Sequence, residues 1–525
     1  MELTMFVHFD PAVYVNSQGG DANVPLNLVN PEKLDTDQWV ENAKAFGAKM
    51  LIFTAKHAGG FAWWQTDTTD YGVRQLAWRG GKGDVMAMLS ESCRKAGMAM
   101  GVYLSPQDAH KNVGCGAKTG TREEHEAYAR TYRQQLTEVL TRYGEMLEVW
   151  FDGSLAFDLA DILKARAPHA MIFQSAHATI RWVGNESGIT PYPSWNTVRR
   201  SDALSGISTA VHSVPDGDTW LPIESDTTIR GHEWFWNEGH DHLVKPLDHL
   251  MEIYYRSVGH GSVLLLNSNP DRRGLVPDAD LKRTREFGDA IRNRFAKAVA
   301  ETRGEGTEMT LDFRAPTRID HVVAMEDIRR GGERMRAYTI EGFRAGKWFH
   351  LVSGSAVGHK KIDFFPAVEV ERVRMRTVQA NGVPLIRRLA AYFAGSIPSN
   401  IQNRSAGRSI DVAAWGPDTF RTDNPEPGHW IDHEVTREYD ISFACDSAGQ
   451  YRLEFAKESG KDEIAVEPLC IVCDGREYPE WIQGRRDDRG FGFSLPGVIG
   501  SLRVRTKLKL MDSTDFYGQV RIWRE

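Results

Sequence analysis

The chain repeats one unit through its first half, and that repeat most limits what it can fold into. Asp35 to Phe46 has the apolar spacing of an amphipathic helix, with Trp39, Ala43 and Phe46 on one side. Gly47 stops it, and Met50-Leu51-Ile52-Phe53 follows as a strand. Asp84 to Ala96 repeats the pattern with Val85, Met88, Leu89 and Cys93 inward, then Gly97, then Met98 to Leu104. Glu123 to Tyr143 and Gly144 lead into Leu147 to Phe151, and Asp161 to Ala167 with Met171-Ile172-Phe173 makes a weaker fourth copy. A glycine-terminated helix followed by an apolar strand, repeated, builds βα units around a parallel sheet. Leu247 to Val258 and Ser262 to Asn267 read as a late helix and strand. Leu281 to Ala300 reads as a closing helix.

Polar side chains collect just after these strands: His8, then Lys56 and His57, then Ser105 and Asp108, then Asp152. Polar groups at one rim of an apolar sheet mark the catalytic face of a (β/α)8-like barrel. A doubly wound open sheet would carry a glycine-rich nucleotide loop, and Gly80-Gly81-Lys82-Gly83 lacks that spacing. Asp152 stands out because it ends the strand Leu147 to Phe151 and precedes Gly153. A carboxylate beside Leu, Val, Trp and Phe is costly unless it is paired or used. The bland alternative is a cap on the next turn.

Past Arg303 the pattern changes to short alternating runs: Glu308 to Phe313, Ile319 to Met325, Arg336 to Glu341, Trp348 to Val352, Val368 to Thr377 and Ile386 to Phe393. This is antiparallel sandwich patterning. The expected architecture is a barrel over 1–300, a galactose-binding-like β-sandwich over 301–395 and a second β-sandwich over 396–525. The appended sandwiches suit either attachment to polysaccharide or structural bracing.

With 26% charged residues, a net charge of −7 and no basic run, nucleic acid and anionic membranes are poor partners. No run of about eighteen apolar residues predicts membrane insertion. The five cysteines are scattered, and Cys470 and Cys473 lie three apart on an apolar strand, so they read as core thiols. No signal peptide is visible, which does not settle compartment.

The rim motifs together resemble glycoside hydrolase family twenty-nine, the α-L-fucosidases, from about Met5 to Gly288. The pieces are Met5 to Phe9, Thr54 to Phe61, Thr66 to Tyr71, Gly101 to Pro106 and Val149 to Gly153. Ile180 to Glu186, Trp220 to Asp226 and Leu264 to Asn267 complete the set. Their style is closer to the branch acting on branched α-1,3/1,4-linked fucose. The resemblance implies a retaining exo-hydrolase of fucosylated glycans that needs no metal or organic cofactor. It makes Asp152 the nucleophile, and a flanking Arg or His would lower its pKa. Glu224 is the first candidate for acid/base and Glu186 the second, with Asp226, Glu233 and Glu238 behind them. His8, His57, Tyr103 and Arg181 are expected to hold sugar hydroxyls, with Trp64 and Trp150 as apolar walls. Of Trp63 and Trp64, adjacent in sequence, one is expected to face a ligand. Arg181 paired with Glu186 is the plainer alternative.

Two departures stand out. Ala58 follows His57 where the family often has a second histidine, and Ser17-Gln18-Gly19-Gly20 stands where a Glu-Trp pair is expected. They keep open a non-catalytic or altered-specificity carbohydrate-binding protein on the same barrel. A third reading, a metal-dependent hydrolase, would use His240-Asp241-His242 or His8 with His57. The substrate class points to a periplasmic or extracellular setting. Oligomeric state is left open.

Overall fold

In the computed structural model the described residues are all except 154, 156, 201–212, 397, 399–400, 402–408, 416–433, 446–447, 461–462, 474, 497–498, 512–515 and 525. Eight parallel strands form the first sheet: β1 (Leu3–Val7), β2 (Met50–Lys56), β3 (Ala99–Leu104), β4 (Met146–Trp150), β5 (Met171–Phe173), β6 (Arg181–Trp182), β7 (Ile223–Thr228) and β8 (Val263–Asn267). They run β5-β4-β3-β2-β1-β8-β7-β6, and a parallel bridge from Phe173 to Ile180 joins the two ends. The sheet is therefore a closed barrel.

The helices outside it are α1 (Thr36–Phe46), α2 (Val85–Ala96), α3 (Arg122–Arg142), α4 (Ala160–Arg166), α5 (Leu247–Arg256) and α6 (Asp278–Phe295). Local chemistry sets their ends. The Asp35 carboxylate accepts from the Asp37 and Gln38 amides, Asp84 accepts from Ala87, and Thr121 with Glu124 closes a capping box. Gly47 and Gly97 end α1 and α2 in the left-handed region, at φ +100° and +63°. The closing helix stops at Phe295, and Ala300 already opens the next sheet.

Inside the barrel, Phe6, Ile52, Tyr103, Trp150, Phe173, Trp182 and Leu265 pack as an aromatic-rich layer. Successive residues of a strand face opposite ways, so Glu148, Trp150 and Asp152 all point inward from β4 and its end. The pairing of β2 with β3 slips between Thr54 and Lys56. That irregularity turns Lys56 outward, onto Asp108, Tyr128 and Gln135, and gives His57 the inward place.

The first appended region is one six-stranded antiparallel sheet rather than a set of short strands. Glu308–Glu326 and Lys361–Ala380 are continuous strands of 19 and 20 residues, bent at register shifts, and enclose a core around Leu311, Ile340 and Leu389. Its other face adds Val323, Met325 and Tyr392 to the barrel's core. The second region has a five-stranded and a four-stranded sheet around Leu453, Phe491 and Val504. Cys470 and Cys473 are buried there. Among the described residues no helix is long and apolar enough to cross a membrane.

Candidate active site

Asp152 lies two residues past the end of β4, and its side chain keeps contact with solvent. Tyr103 Oη, from β3, donates to Asp152 Oδ2 at 2.9 Å. The barrel rim strips water from the carboxyl and so raises its pKa. The Tyr103 hydrogen bond opposes that rise and the charge of Glu186 adds to it. Among the described residues, the expected cation beside Asp152 is not found. His8 and His57 face this end of the barrel, but burial keeps both neutral, His57 at about 4 and His8 well below the usual histidine range.

Both histidines have defined roles as hydrogen-bonding groups. His8 Nδ1 lies 2.9 Å from Asn267 Oδ1, while Asn267 Nδ2 donates to the Trp234 carbonyl at 3.1 Å. The second bond fixes the amide's orientation, so His8 carries its proton on Nδ1 and offers Nε2 as an acceptor. His57 stacks on Tyr103 at 5.7 Å, and its Nδ1 is buried with no hydrogen-bond partner among the described residues. A ligand hydroxyl would satisfy it.

Trp150 stacks on Phe173 at 3.8 Å and on Tyr103 at 5.4 Å, forming the aromatic floor beneath Asp152. Its indole N–H goes to Glu224 Oε1 at 2.9 Å. Glu224 is wholly buried below that floor, beside Glu148, and does not reach the mouth. Burial raises it to about 7, and burial together with the Glu224 charge drives Glu148 well above the carboxylate range. Asp226, held by the Trp182 indole at 2.7 Å, is also pushed well up by burial.

Glu186 instead stands at the mouth, in the turn after β6. Its Oε2 accepts from Trp234 Nε1 at 2.9 Å and lies 3.0 Å from His232 Nε2, and its charge acts on Asp152. Asn185 shapes this turn: its Oδ1 accepts from the Ser187 amide and hydroxyl, and its Nδ2 donates to the Ile189 carbonyl.

Five residues singled out in the sequence lie elsewhere. Trp64 is fully buried and donates to Glu138 on α3, and Trp63 is equally buried against Phe9. Neither meets a ligand. Arg181 points outward from β6, donating to the Trp195 carbonyl near Glu333. His240 caps a short 3-10 turn that contains His242, not a strand, and His240 pairs with Glu233. No group of three or more metal-binding side chains converges among the described residues.

Trp234, Phe235 and Gly19 belong to the site without having been expected there. The rings of Trp234 and Phe235 lie 5.2 and 5.4 Å from that of His8. Gln18 clamps Phe235 through paired amide hydrogen bonds. The available signal was the aromatic run Trp234-Phe235-Trp236 just past a barrel strand. A cavity of about 1050 Å³ at the junction of the three domains, lined by Tyr192, Tyr338 and Arg521, is separate from this site.

A parallel barrel whose mouth holds a tyrosine-bound aspartate facing a glutamate over an aromatic floor is a glycoside hydrolase arrangement. The chain belongs to the α-L-fucosidase family, whose model matches residues 23–293. It is similar to Alpha-L-fucosidase 1 of Arabidopsis thaliana, 32% identical over 447 residues, 75% of this chain and 86% of that one. A crystal structure from Bacteroides thetaiotaomicron assigned to the α-L-fucosidases superposes with a TM-score of 0.70 at 33% identity, over 74% of this chain and 96% of that one. A Ruminococcus gnavus fucosidase in complex with fucose gives 0.65 at 26%, over 75% and 92%.

Proposed function

We propose that the protein is an exo-α-L-fucosidase that works with retention, using Asp152 as nucleophile and Glu186 as acid/base. The observation that carries this is position: Glu186, held by Trp234 at the mouth, is near enough for its charge to act on Asp152, while Glu224 is sealed beneath Trp150. Tyr103 occupies Oδ2 of Asp152 and leaves Oδ1 to attack C1. As the bond from C1 to the leaving oxygen breaks, Glu186 gives that oxygen its proton, and a glycosyl ester forms on Asp152. Glu186 then takes a proton from water, whose oxygen attacks C1 and frees the Asp152 carboxylate. Two inversions return the original anomeric configuration.

His8 Nε2 and His57 Nδ1 suit neutral sugar hydroxyls, and Trp150, Trp234 and Phe235 suit the apolar face of a deoxyhexose. The motif style supports branched α-1,3/1,4-linked fucose as the substrate. The test is Asp152→Ala. Turnover of an aryl α-L-fucoside should fall by about 10³-fold or more with the melting temperature retained. Azide should restore release of the aryl group and yield a fucosyl azide. Undiminished turnover would sink the assignment.

A further inference from the structure

The turn that carries Glu186 is held from two sides. On the barrel side, Ser187 bridges Thr227 of β7, and Gly188 (φ +72°) sits so close to α5 that an added Cβ would stand 2.9 Å from Ile253 Cγ2. On the other side, the second sandwich reaches in. Tyr517 is 3% exposed, and its Oη lies 3.1 Å from Ser187 Oγ. The Ser187 hydroxyl gives its one hydrogen to Asn185 Oδ1 at 2.7 Å, so Tyr517 is the donor. A continuous path then runs from Tyr517 through Ser187 and Asn185 to the backbone that bears Glu186.

Tyr517 is itself fixed to the barrel. Its carbonyl accepts from the amides of Glu458 and Ser459 at 3.0 and 3.1 Å. The Glu458 carboxylate is bound by Arg256 of α5 at 3.0 Å and by Arg521 at 2.8 Å. Arg256 and Glu458 are 9% and 3% exposed, so the link is shielded from water and salt. The sandwich thus delivers a hydroxyl to the catalytic turn from a rigid mount.

We propose that Tyr517 is a positioning residue for Glu186, so that the second β-sandwich completes the active site. This rests on Glu186 being the acid/base. Proton donation matters most when the leaving oxygen is a poor leaving group, so a displaced Glu186 penalises a sugar leaving group more than an activated phenol.

The experiment uses the full chain and two probes: a trisaccharide carrying α-1,3-linked fucose, and 2-chloro-4-nitrophenyl α-L-fucoside. Tyr517→Phe should lower kcat/KM on the trisaccharide by about fivefold more than on the aryl fucoside, the scale of one hydrogen bond. Ser187→Ala should reproduce that ratio, and the double variant should add little to either. Glu186→Gln should show the same leaving-group bias in a stronger form. If Glu186→Gln shows the bias and Tyr517→Phe does not, the positioning role is overturned and the acid/base assignment stands. A lower melting temperature with equal losses on both probes would make Tyr517 structural only, which also overturns it. If Glu186→Gln shows no bias, or the unaltered chain hydrolyses neither probe, the underlying reading fails and the proposal with it.

Discussion

The site owes its chemistry to which carboxyls meet water and which do not. Asp152 and Glu186 stand at the mouth, whereas Glu148, Glu224 and Asp226 lie in the barrel with their ionised forms disfavoured by burial. A carboxyl whose pKa is raised on folding binds its proton more tightly in the folded state. Stability therefore falls as pH rises from the unfolded value of 4.5 through about 7 for Glu224. The melting temperature should drop between about pH 5 and pH 8, and Glu148→Gln should make that drop shallower. Calorimetry across pH checks this, and an unchanged slope in the variant counts against it. His57 works from the other side: held at about 4, it loses stability as pH falls below 6.5. Much of the residue-level picture was legible. The rim positions of Asp152 and His8 could be read from their places at the ends of strands. The depth of Glu224 was not legible, because alternation along a strand gives the face but not the depth, and one layer decides between mouth and core. Arg181 failed for a different reason: in a strand of two residues, parity is set by the barrel's closure, which no local pattern encodes.

At the scale of elements, helix boundaries were readable because caps are local chemistry: an aspartate accepts the first amides, and a glycine takes the left-handed turn. The register slip in β2 was not readable, since it arises from pairing with β3, yet it is what swaps Lys56 for His57 at the rim. Loops were harder still. The segment around Ser17 to Gly20 registered only as a departure from the family pattern. In the fold, Gly19 (φ +97°) presses so near that a Cβ would lie 2.4 Å from Phe235 Cε2 and 2.9 Å from His57 Cε1. Gly19→Ala should push both rings out of place and lower kcat/KM by about tenfold or more, since small displacements at a reacting centre are expensive. The loss of stability should stay near 1–2 kcal/mol, the cost of a left-handed alanine. Steady-state kinetics and thermal melts separate the two effects, and unaltered kinetics would deny the loop its part in shaping the site.

For the whole molecule, the three domains share buried contacts rather than standing as beads. Tyr255 of α5 meets His321 of the first sandwich at 2.7 Å, and Arg256, next along the same helix, binds Glu458 of the second. Arg256→Ala would remove the cation that bridges Glu252 and Glu458, leaving Glu458 to Arg521, and should cost about 2–3 kcal/mol at that junction. Differential scanning calorimetry should then show an early transition for the second sandwich, and a single unshifted peak would argue against it. The long strands Glu308–Glu326 and Lys361–Ala380 explain why the first sandwich looked like many short ones: the bends interrupt alternation without breaking the strand. One property of the mouth reaches further than its architecture. The pair Asp152 and Glu186 sits above histidines that stay neutral, with Arg181 turned away toward Trp195. An acidic sugar entering there would meet the Asp152 charge and, among the described residues, no counter-charge on the floor, which disfavours uronic and sialic acids relative to a neutral sugar.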